Sequence, residues 1–260
     1  MVTSLLDHPA LASSYFFPRR DPPTDPFFVV AADGTTRLAC HRSAPFSDAL
    51  TLLHFHGNAE VVADYVPIVS SIINALGVNV VFAEYRGYGA STGTASLGRM
   101  LDDVEAVFAA TGVPANRIVP FGRSLGSLFA VEACARHPDA AGLVIESGIA
   151  DPLEPKLVRV SPQELGTSRE ALEEAVRERL DQKAKLAGFR GPLLVLHTLA
   201  DALIAPSHGE RIASWGGARA EHKRLVLFER GDHGTIFPSN RDAYVAHLGA
   251  FLSTLVNLAA

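Results

Sequence analysis

Cysteine is almost absent from this sequence: Cys40 and Cys134 are the only two in 260 residues. That excludes a disulfide-stapled scaffold and fits a reducing compartment, with a single bridge between the two left open. An excess of basic charge is lacking as well. Lys and Arg number 23 against 28 Asp and Glu, a formal net charge of −5 without any basic run. Nucleic acid would find no electrostatic footprint, and no such partner is expected. No apolar run is long enough for a membrane span. The opening stretch MVTSLLDHPALASSYFFPRR lacks a basic head, and Asp7, His8 and Pro9 interrupt its apolar residues. No signal peptide is expected there, and the protein reads as cytoplasmic. Internal repeats and low-complexity tracts are missing too. What is present is an ordinary globular balance, 48% hydrophobic and 20% charged, in a chain long enough to bury a core unaided.

Short apolar runs alternate with longer helical patterns. FFVVAA (27–32) and RLACHR (37–42) flank the turn DGTT and predict a hairpin. TLLHFH (51–56), VNVVFAEY (78–85), RIVPF (117–121), GLVIES (142–147), PLLVLH (192–197) and RLVLF (224–228) predict further strands. Helical spacing covers Val62 to Leu76, Met100 to Phe108, residues 125–137, and about Arg241 to Val256. Continuous apolar strands with helical crossovers imply a mostly parallel sheet covered on both faces. The hairpin would be its antiparallel N-terminal edge. The stretch 148–190 breaks this rhythm. Ser161 and Thr167 each open a capping-box pattern, and a helix is expected to run to about Leu186. This reads as a small helical cap inserted in a single domain spanning 1–260, over the sheet edge where α/β folds bind ligands.

Two segments share the pattern G-x-S-x-G: GASTG at 89–93 and GRSLG at 122–126. The pattern marks a nucleophile only where a strand runs straight into a helix through it. Gly122 directly follows RIVPF, and helical spacing begins directly after Ser124. Gly89 lies beyond its strand, and TASLGRM separates Gly93 from the next helix, with Ser96 as the expected N-cap. Ser124 is therefore the candidate nucleophile, and Ser91 belongs to a glycine-rich turn.

A serine needs a base, and the base an orienting acid. His233 follows the last strand in a glycine-flanked loop, and Asp201 lies just past PLLVLH. Asp232 is a rival acid, but side chains of adjacent residues diverge. The Leu125 amide, at a helix N-terminus, supplies one donor for a developing oxyanion. The Asn58 amide, after the strand ending in His56-Gly57, supplies the second. The chain order is Ser124, Asp201, His233.

With these residues the chain resembles the α/β-hydrolase superfamily, and within it the serine hydrolases with an HGN oxyanion loop, a YRGYGxSxG loop and a GxSLG elbow. Here they read HFHGNAE, EYRGYGASTG and GRSLG, and the likeness spans about 27–147 and 191–256. LHTLAD stands where the family more often has LHG..D, and 148–190 matches no family pattern. The resemblance implies an α/β-hydrolase fold and hydrolysis of esters, thioesters or amides without metal or organic cofactor. The expectation is a carboxylesterase acting on small to medium acyl chains through an acyl-enzyme. An acyl-thioesterase with the same triad, a serine peptidase, or a non-catalytic ligand-binding member are the alternatives.

Other side chains admit plainer roles. His54 and His56 share one strand face, but no third ligand is evident for a metal. Arg86 is expected to anchor its loop. Arg123, beside the nucleophile, would either meet an acidic substrate or pair with a neighbouring acid.

Overall fold

The computed structural model describes residues 4–154 and 156–259. Residues 1–3 of the stretch read for a signal peptide, residue 155 of the insertion, and residue 260 lie outside the described residues. Eight strands form one sheet: β1 (Phe27–Val30), β2 (Arg37–Ser43), β3 (Thr51–Phe55), β4 (Asn79–Ala83), β5 (Ile118–Arg123), β6 (Leu143–Glu146), β7 (Leu193–Thr198) and β8 (Lys223–Phe228). Their spatial order is β1-β2-β4-β3-β5-β6-β7-β8. β1 and β2 pair antiparallel, as do β2 and β4. Every pairing from β4 across to β8 is parallel. The strand pattern, the antiparallel edge and the mostly parallel sheet are those expected from the sequence.

The helices are α1 (Pro9–Tyr15), α2 (Val62–Tyr65), α3 (Val69–Ala75), α4 (Leu97–Ala110), α5 (Gly126–Arg136), α6 (Arg169–Leu180), α7 (Gln182–Gly188), α8 (Pro206–Trp215) and α9 (Ile236–Ala259). Alternate strand residues serve the two faces. Leu53, Val81, Ile145 and Val195 pack with Leu101, Phe129 and Ile212 of α4, α5 and α8. Leu52, Val80, Val144 and Leu194 pack with Ile73 of α3 and with Leu248 and Phe251 of α9. Burial on both faces is why these strands read as unbroken apolar runs. Among the described residues no helix is long and apolar enough to cross a membrane.

Several boundaries differ from expectation. The run 62–76 is two helices, because Pro67 has no N–H to donate and disrupts the turn it enters. The helix expected to reach Leu186 is also two. Asp181 leaves helical geometry (φ −70°, ψ 85°) and accepts the Ala184 amide, capping α7. Ser161 and Glu164 do close a reciprocal box, at 2.8 and 3.3 Å, but the chain turns away at Gly166 (φ +61°) without forming a helix. Ser96 does not cap α4 with its own side chain. It donates instead to Asp7, whose carboxylate also takes the Arg99 amide at 3.0 Å. Asp7 belongs to an N-terminal segment, with a 3-10 turn at Leu5–Asp7 and then α1, that the periodicity did not reveal. α8 was likewise unmarked, although Pro206 at its first turn is a start signal.

Candidate active site

The elbow at 122–126 sits between β5 and α5, at the C-terminal edge of the sheet. Strand and helix crowd it so closely that a Cβ on Gly122 would meet the Ser127 Cα at 2.5 Å, and one on Gly126 the Phe55 carbonyl oxygen at 2.0 Å. Those contacts, rather than flexibility, require glycine at both positions. Ser124 takes a left-handed backbone (φ +51°), a strained state for a non-glycine residue that the packed surroundings maintain. Ser91 is different. It is buried, and its hydroxyl accepts the Ala39 amide of β2 at 2.9 Å.

The structure brings Ser124, His233 and Asp201 together. His233 Nε2 lies 2.9 Å from Ser124 Oγ, and Nδ1 lies 2.8 Å from Asp201 Oδ2. Asp201 follows β7, and His233 follows β8. Burial alone would raise the Asp201 carboxyl. Hydrogen bonds from His197, His233 and the Ile204 amide outweigh burial and hold it well below the usual carboxylate range. An ionised Asp201 makes Nδ1 the protonated nitrogen and leaves Nε2 free to accept the serine proton. Asp232 points elsewhere: its Oδ1 accepts from the Gly234 and Thr235 amides, both at 3.0 Å, and from the Thr235 hydroxyl at 2.6 Å. His197, buried beneath the acid, lies 3.3 Å from Asp201 Oδ2 and donates to the Ile204 carbonyl at 2.9 Å. Its strand-end position was visible in the sequence, but its contact with the acid was not.

Asn58 and Leu125 both line the cavity onto which Ser124 opens. No hydrogen bond among the described residues engages either backbone amide. The cavity measures about 160 Å³. The insertion supplies Ile149, Leu153, Leu157, Val160, Leu172 and Val176 to its walls, and the N-terminal segment adds Leu6, Leu11, Tyr15 and Phe16. Among the described residues of the lining, Arg159 is the one that carries a charge, and no carboxylate contributes.

A family model described as serine aminopeptidase, S33, matches residues 48–168, which include Asn58 and Ser124 but neither Asp201 nor His233. The protein YfhR of Salmonella typhimurium is 30% identical over 227 residues, covering 80% of this chain and 74% of the relative. The chain belongs to the YfhR family. The Arabidopsis thaliana α/β-hydrolase domain-containing protein WAV2 is 29% identical over 205 residues, 75% of this chain and 67% of its own. In three dimensions a Pyrococcus furiosus esterase superposes with a TM-score of 0.73 at 15% identity, covering 93% of this chain and 98% of the esterase. The fold of this YfhR-family chain is the α/β-hydrolase fold.

Arg123 pairs with neighbouring acids. Its Nη1 lies 2.9 Å from Glu60 Oε1 and its Nε 3.0 Å from Glu146 Oε1, while Nη2 donates to the His233 carbonyl at 3.0 Å. Glu60 in turn accepts the Gly57 amide at 2.6 Å, and Tyr244 donates to Glu146. One partly buried guanidinium thus ties the 57–60 loop, β6 and the His233 loop together. Burial pushes the Glu146 carboxyl upward despite Arg123. Arg123→Met should therefore cost about 3–5 kcal/mol of stability, since it removes the cation that faces buried Glu146 and partly buried Glu60. Urea unfolding measures this; a loss below about 1 kcal/mol would mean the pairs are solvent-screened.

His54 and His56 lie in different surroundings. His56 Nε2 lies 2.8 Å from Glu84 and Nδ1 2.8 Å from the Gly57 carbonyl. Burial opposes its charge, but Glu84 and the Gly57 carbonyl prevail and raise its pKa. His54 packs among Tyr65, Phe82 and Phe121, and burial holds its pKa well below the usual value. Arg86 is buried in a bidentate pair with Asp103, 2.7 Å on each arm. Cys40 and Cys134 are free and buried, and burial pushes the Cys40 thiol up to about 12.

Proposed function

We propose that this protein is a serine hydrolase that cleaves carboxylic esters of small to medium acyl chains. The observation that carries this reading is the hydrogen-bonded series Asp201–His233–Ser124 ending at an apolar cavity. Ser124 Oγ attacks the ester carbonyl while His233 Nε2 takes its proton. The amides of Asn58 and Leu125 hold the developing oxyanion. His233 then protonates the departing alkoxide, leaving an acyl-Ser124. Water, deprotonated by His233, hydrolyses the acyl-enzyme and restores the serine. Asp201 holds the imidazole tautomer and stabilises its positive charge. The sequence of steps consumes one water and calls for no metal or organic cofactor. Residues 148–190 act as the cap that encloses the acyl group.

Cavity size sets the substrate. A dry pocket of about 150 Å³ lined by aliphatic and aromatic side chains accommodates a six-carbon ring. Acyl chains of about two to eight carbons therefore match the space. Each methylene buried adds about 0.8 kcal/mol until the pocket ends. An aminopeptidase would need an anion for the substrate ammonium, and among the described residues the charge that the lining offers is the cation Arg159. A thioesterase would use the same groups.

The test is kcat/KM on p-nitrophenyl esters from acetate to palmitate, beside matched thioesters and amino-acid anilides. We expect a maximum at or below about eight carbons without activation by substrate micelles. A maximum at palmitate, or a preference for thioesters or anilides, overturns the proposed specificity.

A further inference from the structure

The residue proposed to supply the first oxyanion donor is held by the N-terminal segment. Asn58 Nδ2 donates to the Tyr15 carbonyl, and Asn58 Oδ1 accepts the Phe17 amide at 3.2 Å. Its carboxamide thus pairs with the backbone on both sides of Phe16, much as a neighbouring strand would. Tyr88 reinforces the pair: its hydroxyl donates to Asn58 Oδ1 at 2.9 Å and accepts the Phe17 amide at 3.2 Å. The loop needs such restraint. Ala59, next in sequence, adopts φ +61°, a left-handed state that a non-glycine residue keeps only when its surroundings over-determine it.

Two residues of this segment also meet the cavity. Phe16 is buried and, with Tyr15, lines the space onto which Ser124 opens. The Tyr15 hydroxyl accepts the Arg159 amide at 2.6 Å, which joins this strap to the insertion. A group that fills the cavity would pack against Phe16 and Tyr15. The two hydrogen bonds of the carboxamide, with the Tyr88 hydroxyl that bridges Asn58 Oδ1 and the Phe17 amide, connect that segment to Asn58.

We infer that residues 15–17 are a positioning strap through which acyl occupancy orients the oxyanion donor. This rests on the esterase reading above. An acyl chain that reaches Phe16 holds the Tyr15 carbonyl and Phe17 amide against Asn58, and so holds the Asn58 amide toward the oxyanion. A short acyl group leaves Phe16 without that contact. The consequence is specific. Binding energy from remote methylenes appears in kcat as well as KM, because it is realised at the reacting centre.

The experiment compares wild type with Asn58→Ala, which keeps the backbone amide but removes the carboxamide pairing. Steady-state kcat and KM are measured for acetate, butyrate, hexanoate and octanoate esters, with thermal melting to confirm folding. In wild type kcat should rise on the order of tenfold from acetate to hexanoate while KM falls. In Asn58→Ala the fall in KM should persist and the rise in kcat should flatten to within about twofold. If Asn58→Ala does not fold, Phe16→Leu, which shortens the contact and leaves the pairing intact, should shift the rise in kcat toward longer chains. Limiting rates of labelling by a methyl and a hexyl phosphonate separate the two ideas. A wild-type kcat independent of chain length, or a rise that Asn58→Ala leaves unchanged, overturns the strap while labelling of Ser124 upholds the esterase. Absence of any Ser124 adduct in wild type overturns both.

Discussion

Ser124→Ala is expected to abolish ester hydrolysis, lowering kcat by on the order of 10⁶, because no other group at the elbow offers a nucleophile. A fluorophosphonate should modify wild type at Ser124 alone, and the adduct should vanish in the variant. Ser91→Ala is the matched control, since it alters the second copy of the pattern. Its hydroxyl accepts the Ala39 amide inside the protein, and losing it strands a buried N–H at a cost of about 1–3 kcal/mol. That variant should melt lower by about 2–12 °C, at about 2–4 °C per kcal/mol for a chain of this size. Its activity per folded molecule should match wild type. A phosphonate adduct on Ser91, or activity surviving in Ser124→Ala, would reverse the assignment.

The contrast between these serines was legible in the sequence because it depends on neighbours in the chain. Gly122 abuts its strand and Gly126 opens its helix, so letters and context coincide. The strands themselves were legible for a similar reason: Leu52 and Leu53, or Val80 and Val81, serve opposite faces of a doubly covered sheet and leave a continuous apolar run. Asp201 and His233 were accessible because both lie at strand ends. What escaped depends on distant partners. The segment around Leu6, Leu11 and Phe16 is one short turn and one seven-residue helix, too brief to show a period. It is stabilised by packing on α4 and α6. Asp7 reaching over to Ser96 and Arg99 has no local signature, and neither does the choice of Glu60 and Glu146 by Arg123. The breaks at Pro67 and Asp181 did have signatures, a missing N–H and a capping side chain. Apolar periodicity ran through both and concealed them.

The acid separates the two readings of the loop before the histidine. Asp201 and Asp232 both lie near His233, one across space and one along the chain. Asp201 Oδ1 accepts the Leu203 and Ile204 amides at 3.0 and 2.8 Å, which aims Oδ2 at the imidazole. In Asp201→Asn the amide oxygen would stay on those two backbone donors, so its NH₂ would face His233. The imidazole must then present a lone pair at Nδ1 and carry its proton on Nε2, the wrong tautomer for removing the Ser124 proton. A loss in kcat of about 10⁴ is expected, as for comparable replacements in such triads. Asp232→Asn keeps an acceptor for Gly234 and Thr235 and should change kcat only a few-fold. Stability gives an independent readout. The Asp201 carboxyl is depressed in the folded protein, so its stabilisation is present above the unfolded value of about 3.9 and is lost as pH falls toward the lower folded value. The melting-temperature gap between wild type and Asp201→Asn should hold from pH 7 to about 5 and narrow progressively as the pH falls below about 4. A collapse of kcat in Asp232→Asn with Asp201→Asn near wild type would make Asp232 the partner of His233 in solution. A melting gap unaffected by acid would show that Asp201 stabilises the fold by packing alone, without its charge.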